Sequence, residues 1–178
     1  MRFTQTKLAG VVVVELEPRS DERGFFSRSF CENEFAAQGL PTHFPQCNIS
    51  FNHKKGTLRG MHYQAAPYGE PKLVRCTMGA IFDVAVDLRP DSPSFKQWVG
   101  YELSAHNRKA LFIPEGCAHG FLTLEDNTEV FYQMGQFFAP EYARGLRYND
   151  PAFAIEWPAQ PELVHERDNS YPDFEAKQ

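Results

Sequence analysis

Hydrophobic and polar positions alternate in short runs along most of the chain, a pattern typical of β-strands with one buried face. Turn-forming clusters such as Pro90-Asp91-Ser92-Pro93 and Glu125-Asp126-Asn127 separate the runs. The strand-like runs are GVVVVELE near residue 10, RGFFSRSF near 23, QCNISF near 46, TLRGMHYQ near 57, KLVRCTMGAIFDVAVDLR from 72 to 89, FKQWVGYEL, KALFIP, GFLTL and TEVFYQMGQFF. The pattern predicts an all-β sandwich or barrel of antiparallel strands.

One short helix is predicted, from Glu32 to Ala37, and the Pro-rich segment 150–172 is expected to wrap the barrel as loops, turns or a short helix. The 178 residues contain no repeat, linker or low-complexity segment. A chain of this length buries about 70% of the surface that its unfolded form exposes. We therefore predict a single domain over residues 1–178.

Charge and cysteine content narrow the classes of partner and compartment. The 18 lysines and arginines against 23 aspartates and glutamates give a net charge of -5, which offers no general attraction for nucleic acid or an anionic membrane. The cysteines have no CxxC or framework spacing, which favours reduced thiols; they are Cys31, Cys47, Cys76 and Cys117. The N-terminus lacks an apolar targeting segment and the longest apolar run is far too short to span a bilayer. These features predict a cytoplasmic protein.

The stretch LRGMHYQ, residues 58 to 64, places a cation, a glycine and a histidine in a buried strand pattern. Arg59 and His62 are three residues apart, so a regular strand would point them to opposite faces. A β-bulge at Gly60 would turn both side chains into one cavity. We therefore predict a bulge at Gly60.

Polar side chains on other strand patterns are candidates for the same cavity, because burying them costs several kcal/mol unless they are paired or face water. They are Arg23, Gln46, Asn48, Arg59, His62, Lys72, Asp83, His119 and Tyr132. Arg59, His62 and Lys72 lie on two strand patterns separated by AAPYGEP, which predicts a hairpin that brings them together. Two cations beside a histidine favour its neutral form, which can accept a proton. Either Asp83 or Asp168 could orient the second ring nitrogen.

The segment PEGCAHG, residues 114 to 120, fits the P-x-G-x-x-H pattern of the second cupin motif and would deliver His119 to the interior of a small jelly roll. Many cupins bind a metal through an H-x-H pair, a later Glu and this histidine. Here the pair reads His62-Tyr63-Gln64, which leaves only His62, Glu70 and His119 as ligands, with Lys72 nearby to repel a cation. We therefore expect no metal.

Taken together, these blocks resemble the dTDP-4-dehydrorhamnose 3,5-epimerases, metal-free members of the cupin superfamily. The resemblance runs through DERGFF at 21 to 26, QCNIS at 46 to 50, LRGMHYQ at 58 to 64, KLVR at 72 to 75, GAIFDVAVDLR at 79 to 89, IPEGCAHGF at 113 to 121, EVFY at 129 to 132, NDPAFAIEWP at 149 to 158 and ERD at 166 to 168. It implies a cupin-type jelly-roll barrel and a cofactor-independent isomerase that inverts C3 and/or C5 of a dTDP-4-keto-6-deoxyhexose.

The resemblance also implies roles for single residues. His62 matches the catalytic base, Asp168 its partner, Tyr132 the acid on the opposite ring face, and Lys72 the cation that stabilises the C4 oxyanion. Arg23 and Arg59 match the pyrophosphate contacts. The remaining substrate-binding positions are Phe26, Gln46, Asn48, Asp83 and His119. Family members form homodimers by exchanging N-terminal strands, and GVVVVELE, apolar on both faces, would need such cover.

Two positions depart from the family pattern. Arg28 stands where relatives commonly have a glutamate near the nucleotide, so it indicates a different base, a different phosphate contact or an outward-facing side chain. Phe137-Phe138 replaces a frequent Tyr pair. These changes leave open whether one or two centres are inverted. The alternatives to an epimerase are a metal-dependent cupin oxygenase, a sugar-nucleotide ketoisomerase and a non-catalytic sugar-nucleotide-binding module.

Overall fold

The computed structural model describes residues 1–175, and their secondary structure is mainly β. Strands β1 to β14 span Arg2–Gln5, Val12–Glu15, Arg19–Asp21, Gly24–Phe26, Gln46–Asn52, Thr57–Gln64, Lys72–Met78, Ala80–Asp87, Trp98–Ser104, Ala110–Ile113, Cys117–Thr123, Thr128–Met134, Ala143–Gly145 and Leu163–Val164. Helix α1 spans Glu32–Ala36, helix α2 spans Glu166–Asn169, and a 3-10 turn covers Pro140–Tyr142. The predicted strands and the first helix are confirmed.

Two sheets face each other and form the barrel. The first sheet has the strand order β1-β2-β10-β7-β12-β5, and the second has the order β13-β6-β11-β8-β9, with β14 paired to β6. From β5 to β8 the chain changes sheet at every connection, which is the topology of a jelly roll. The prediction of a cupin-type jelly roll is thus confirmed.

The predicted hairpin between β6 and β7 is wrong, because these strands lie in different sheets. The loop between them carries Pro67 and Pro71, which cannot donate ladder hydrogen bonds and so do not extend the pairing. Lys72 on β7 therefore reaches His62 on β6 across the interior of the barrel.

Strand β2 is apolar on both faces because both faces are buried within the chain. Val11 and Val13 pack between the two sheets, in the cluster that includes Ile81 and Leu111. Val12 and Val14 point outward and pack against α1 through Phe35, in a cluster that also includes Phe112, Met1, Phe3, Phe30 and Phe44. The expected need for a partner's strand to cover GVVVVELE is wrong, because these valines are at most 5% exposed in the single chain.

The C-terminal segment covers the outer face of the second sheet. Val84, Val86 and Ala118 point away from the barrel interior and pack with Phe153 and Trp157. The same segment then returns to β6, where β14 pairs in parallel and α2 follows at once. The wrapping predicted for 150–172 is confirmed, and it delivers Asp168 to the barrel.

None of the helices in residues 1–175 has the length and apolar character needed to cross a membrane.

Candidate active site

A cavity of about 820 Å³ lies in the barrel and is lined by both sheets and by the segment around α2. Of the sequence-predicted site residues, those on its wall are Gln46, Asn48, Arg59, His62, Lys72, His119, Tyr132 and Asp168. Residues far apart in sequence therefore meet in one space. Arg23, Phe26 and Asp83 are not on its wall.

The β-bulge predicted at Gly60 is confirmed. On β6, Arg59 and His62 are three residues apart, whereas their partners on β11, Phe121 and His119, are two apart. The extra residue turns both Arg59 and His62 toward the cavity. Gly60 has a φ of 112°, and a Cβ atom there would lie 2.6 Å from the Cα of Gly120. Only glycine fits at this close approach of two strands.

His62 and Asp168 form a hydrogen-bonded pair at the bulge. His62 Nε2 lies 2.8 Å from Asp168 Oδ1, and the backbone N–H of Gly60 donates to Asp168 Oδ2 at 3.1 Å. Burial alone would raise the pKa of Asp168, but the bonds from His62 and Gly60 outweigh it, and the pKa lies below its ordinary value. Asp168 therefore stays ionised and leaves His62 Nδ1 for the cavity.

Lys72 lies beside His62 as a buried cation. Its Nζ donates to the backbone oxygen of His62 at 3.2 Å and forms an ion pair with Glu70 at 3.2 Å. Both side chains of the ion pair are 6% exposed. An ammonium held by fixed partners in a region of low dielectric can stabilise a developing oxyanion.

Tyr132 projects from β12 of the first sheet, opposite the sheet that carries His62. Desolvation of the phenol and the negative charge on Asp83 raise the pKa of Tyr132 above its ordinary value. The phenol is therefore protonated at neutral pH and can donate a proton.

His119 and Asp83 form a second pair behind Tyr132. His119 Nε2 lies 2.7 Å from Asp83 Oδ1, and the rings of His119 and Tyr132 are 6.1 Å apart between centroids. Asp83 is fully buried, so it reaches the cavity only through His119. Sequence reasoning alone left Asp83 and Asp168 as equal candidates for the partner of His62; the geometry assigns Asp168 to His62 and Asp83 to His119.

Polar side chains from β5 and β6 also line the cavity. Gln46 Oε1 accepts from the backbone N–H of Phe138 at 3.2 Å, and Gln46 Nε2 is 3.4 Å from Asn48 Oδ1. The Arg59 Nε donates to Asn52 Oδ1 at 2.6 Å, while the side chain remains exposed to the cavity. The wall of the cavity therefore offers amides and a guanidinium, groups suited to a polar anionic ligand.

Arg23 and Phe26 lie on the β3–β4 hairpin, which pairs with no other strand in the described chain. The Arg23 side chain is 85% exposed and pairs with Asp21. Arg28 is also exposed and bonds Glu34 at 3.0 Å, so in the single chain it matches the outward-facing interpretation. Phe138, one of the departures from the family pattern, lies on the cavity wall.

Sequence reasoning missed three charged residues of the cavity wall: Glu70, as the partner of Lys72, and Arg144 and Arg167. Arg167 directly precedes Asp168, so the ERD block contained a signal for it. No group of three or more His, Cys, Asp or Glu side chains in residues 1–175 is arranged to hold a metal ion. The atoms that could bind a metal already have partners. The histidine nitrogens bond Asp168 and Asp83, and a Glu70 oxygen bonds Lys72.

Known proteins share both the sequence and this architecture. A family model described as dTDP-4-dehydrorhamnose 3,5-epimerase matches residues 5–176. The enzyme of that name from Shigella flexneri is 45% identical over 169 residues, covering 94% of this chain and 93% of that protein. The crystal structure of the Bacillus anthracis enzyme of the same name, with TDP and PPi bound, has a TM-score of 0.94 at 38% identity and covers 97% of this chain and 99% of that chain. ChmJ, a 3'-monoepimerase from Streptomyces bikiniensis in complex with dTDP-quinovose, has a TM-score of 0.86 at 32% identity, covering 94% and 85%.

Proposed function

This chain belongs to the dTDP-4-dehydrorhamnose 3,5-epimerase family, and on that premise we propose that His62, Lys72 and Tyr132 carry out its chemistry. The protein is a deoxysugar epimerase, an isomerase whose substrate is a nucleotide sugar. The proposed substrate is a 4-keto-6-deoxyhexose linked to dTDP, inverted at C3, at C5 or at both.

His62 takes the proton from the carbon beside the ketone. Asp168 holds Nε2 as the N–H form, which leaves Nδ1 unprotonated and facing the cavity. A placed base of this kind contributes about a hundred- to ten-thousand-fold to the rate. Lys72 stabilises the negative charge that develops on the C4 oxygen as the proton leaves, an effect typically worth about 3 to 4 kcal/mol of barrier.

Inversion requires that the new proton arrive on the other face of the carbon. Tyr132 comes from the sheet opposite His62 and has a protonated phenol, so it is the proposed donor. The single observation that carries the proposal is this arrangement: a base with its carboxylate, a buried ammonium and a phenol surround one cavity from two sides.

Other polar residues of the cavity bind the nucleotide in this proposal. Arg59 binds the pyrophosphate, since its planar fork can bond two oxygens at once. Gln46 and Asn48 line the nucleotide and sugar site. His119 and Asp83 bind the sugar end through the His119 ring.

Arg23 and Phe26 complete this site from a second copy of the chain. All six positions of strands β3 and β4 are exposed, and an isolated two-stranded hairpin is marginally stable in water. A homodimer that exchanges N-terminal strands would give the hairpin a surface to pack on and bring both residues to the partner's cavity. We propose that dimer, with residues 1–178 as one domain per copy.

A cytoplasmic location is part of the proposal. All four cysteines are free thiols, consistent with a reducing compartment. Fractionation of the producing cells, with the protein followed by antibody, tests this location.

Deuterium uptake tests the function directly. The purified protein is incubated with dTDP-4-keto-6-deoxyglucose in deuterated water, and C3 and C5 are followed by NMR. Uptake at both centres with inversion identifies a 3,5-epimerase, and uptake at one centre identifies a monoepimerase. Movement of the carbonyl between C4 and C3 would identify a ketoisomerase, and absence of uptake contradicts the proposal for this nucleotide sugar.

A further inference from the structure

Each inversion leaves the base with one proton too many and the acid with one too few. If His62 removes one proton from carbon and Tyr132 delivers another from the opposite face, the products on the enzyme are an imidazolium at His62 and a phenolate at Tyr132. Before the next inversion His62 must lose one proton and Tyr132 must gain one, through solvent or through the protein. This requirement rests on the proposed function and on conservation of protons alone.

His119 lies between these two groups. On β11 it is the direct register partner of His62 on β6, so the two side chains emerge side by side from adjacent strands. Across the barrel, its ring centroid is 6.1 Å from that of Tyr132. Both His62 and His119 line the cavity. No other histidine on the cavity wall in residues 1–175 has this double proximity.

Asp83 prepares His119 to carry a positive charge. The carboxylate is fully buried and bonds His119 Nε2, while its second oxygen has no hydrogen-bond partner in residues 1–175. A buried carboxylate with one unpaired oxygen is costly unless a cation forms beside it. The groups facing His119 are Asp83 from β8, His62 from β6 and Tyr132 from β12. Protonation of His119 would offset the negative charge of Asp83, which is its hydrogen-bonded partner.

We propose that His119, held by Asp83, is a proton relay that returns the proton from His62 to Tyr132 after each inversion. His62 loses its extra proton from Nδ1, and His119 gains one at Nδ1 and becomes an imidazolium paired with Asp83. His119 then gives that proton to the phenolate oxygen of Tyr132. The final state is neutral His62, neutral His119 and protonated Tyr132, with no proton gained or lost.

The direction of transfer follows from the environment of Tyr132. Desolvation and the charge of Asp83 raise the pKa of this phenol, so its phenolate is a stronger base than either imidazole. Proton transfer toward Tyr132 is therefore favourable. Both histidine–aspartate pairs then end in the protonation state that starts the next inversion.

The test separates the first proton transfer from the resetting step. His119→Gln and Asp83→Asn are compared with the wild type in deuterated water, once with enzyme in excess and once with substrate in excess. His106→Gln is the matched control, because His106 is exposed in the turn after β9. Near-ultraviolet circular dichroism checks that each variant is folded.

The relay predicts that the first uptake of deuterium with enzyme in excess falls much less than the steady rate in both variants, because loss of the His119 sugar contact weakens binding but leaves His62 and Tyr132 in place. The steady rate of inversion with substrate in excess, followed by the NMR signals of the product, falls about a hundredfold or more, as for loss of a placed acid-base group. Added imidazole buffer at constant pH restores part of it. Asp83→Asn keeps the histidine, so it tests the relay even if His119→Gln does not fold.

An equal fall in the first uptake and the steady rate, with no effect of buffer, would overturn the relay and leave His119 as a substrate contact. Absence of uptake by the wild-type protein is a different result, because it contradicts the proposed function itself.

Discussion

Solvent exposure separates the two histidines of the cavity, although each has an aspartate partner at nearly the same distance. The His62 side chain is 37% exposed and the His119 side chain is 6% exposed. A base that takes a proton from a bound sugar must be open to the cavity, whereas a relay needs only to reach the two side chains between which it passes protons. The difference supports the base role for His62.

Substitution of the base and of the acid should give different phenotypes. His62→Ala is expected to abolish deuterium uptake, because no other group in residues 1–175 combines its position with a carboxylate partner and the Lys72 ammonium. Tyr132→Phe is expected to slow inversion by about a hundredfold or more while His62 still exchanges the proton on its own face. NMR in deuterated water distinguishes uptake from inversion. Normal turnover by His62→Ala would refute the mechanism.

Asp168→Asn should lower stability in a pH-dependent way. The pKa of Asp168 is lower in the folded chain than in the unfolded one, so its charge stabilises the fold above the ordinary aspartate pKa of about 3.9. This stabilisation disappears as the pH falls through the folded-state pKa. We expect the free energy of unfolding to drop by about 2 kcal/mol at neutral pH and by less in acid, measured by urea unfolding.

The exposed Asp91 provides the control for this measurement. Asp91→Asn should leave the free energy of unfolding close to that of the wild type at every pH. If Asp168→Asn lowered the free energy of unfolding by the same amount at neutral and acidic pH, the charge of Asp168 would not be what stabilises the fold.

Sequence reasoning identified the side chains of the site better than it identified their partners. Strand periodicity marked His62, Lys72 and Tyr132 because polar groups on apolar patterns are conspicuous. It could not pair His62 with Asp168, since that contact depends on the route of about a hundred residues between them. The pair forms because the C-terminal segment returns to β6, and no local sequence pattern predicts that contact.

At the scale of elements, the bulge on β6 connects the fold to the site. Gly60 allows β6 and β11 to approach closely at the bulge that turns both Arg59, the proposed phosphate contact, and His62, the proposed base, toward the cavity. Its N–H also fixes Asp168. One element therefore positions Arg59, His62 and Asp168 together.

Gly60→Ala is expected to damage both stability and activity. A Cβ at this position would meet the backbone of β11 at 2.6 Å, and the φ of 112° disfavours any side chain. Gly39→Ala is the matched control, because its φ is 69° but nothing lies within 4 Å of the added atom. The free energy of unfolding should fall by about 2 kcal/mol more for Gly60→Ala than for Gly39→Ala. Equal losses would mean that the close approach is unimportant.

The pattern of elements was predictable because turn residues punctuate nearly every strand. The sheet assignment was not, as β6 and β7 illustrate. Their sequence resembles a hairpin, yet the chain crosses the barrel between them. Short strands such as β1, β13 and β14 were missed, because two to four residues contain too little periodicity to distinguish a strand from a loop.

At the scale of the whole molecule, charge is distributed unevenly. The chain carries a net charge of -5, yet Arg59, Lys72, Arg144 and Arg167 all line the same cavity. Attraction of an anionic substrate is therefore local and is expected to weaken with salt. We expect KM for the nucleotide sugar to rise with ionic strength while kcat changes little, because the reacting groups are more buried than Arg59. Steady-state kinetics at low and high salt measure both constants. A fall in kcat at unchanged KM would contradict this expectation.

The N-terminal region shows what whole-molecule reasoning from sequence could and could not supply. The apolar run in β2 suggested cover by another chain, but α1 and its aromatic neighbours already provide it. The β3–β4 hairpin, which pairs with no other strand in residues 1–175, leaves Phe25 44% and Phe26 77% exposed. These two phenylalanines were the hydrophobic signal of an uncovered segment, whereas the longer apolar run in β2 drew the expectation to the wrong one.

Mixed dimers test whether the β3–β4 hairpin acts on the partner's cavity. Arg23→Ala should raise KM by weakening the pyrophosphate contact, and His62→Ala should be inactive. In a dimer of one chain of each kind, the cavity with an intact His62 receives the intact Arg23 of the other chain. Mixing the two variants, with exchange of subunits, should therefore restore one normal site per mixed dimer. If Arg23 acted within its own chain, no mixed dimer would contain a complete site, and the KM of the mixture would remain that of Arg23→Ala. Because only the crossed arrangement produces complementation, steady-state kinetics of the mixture separate the two geometries without a crystal of the dimer.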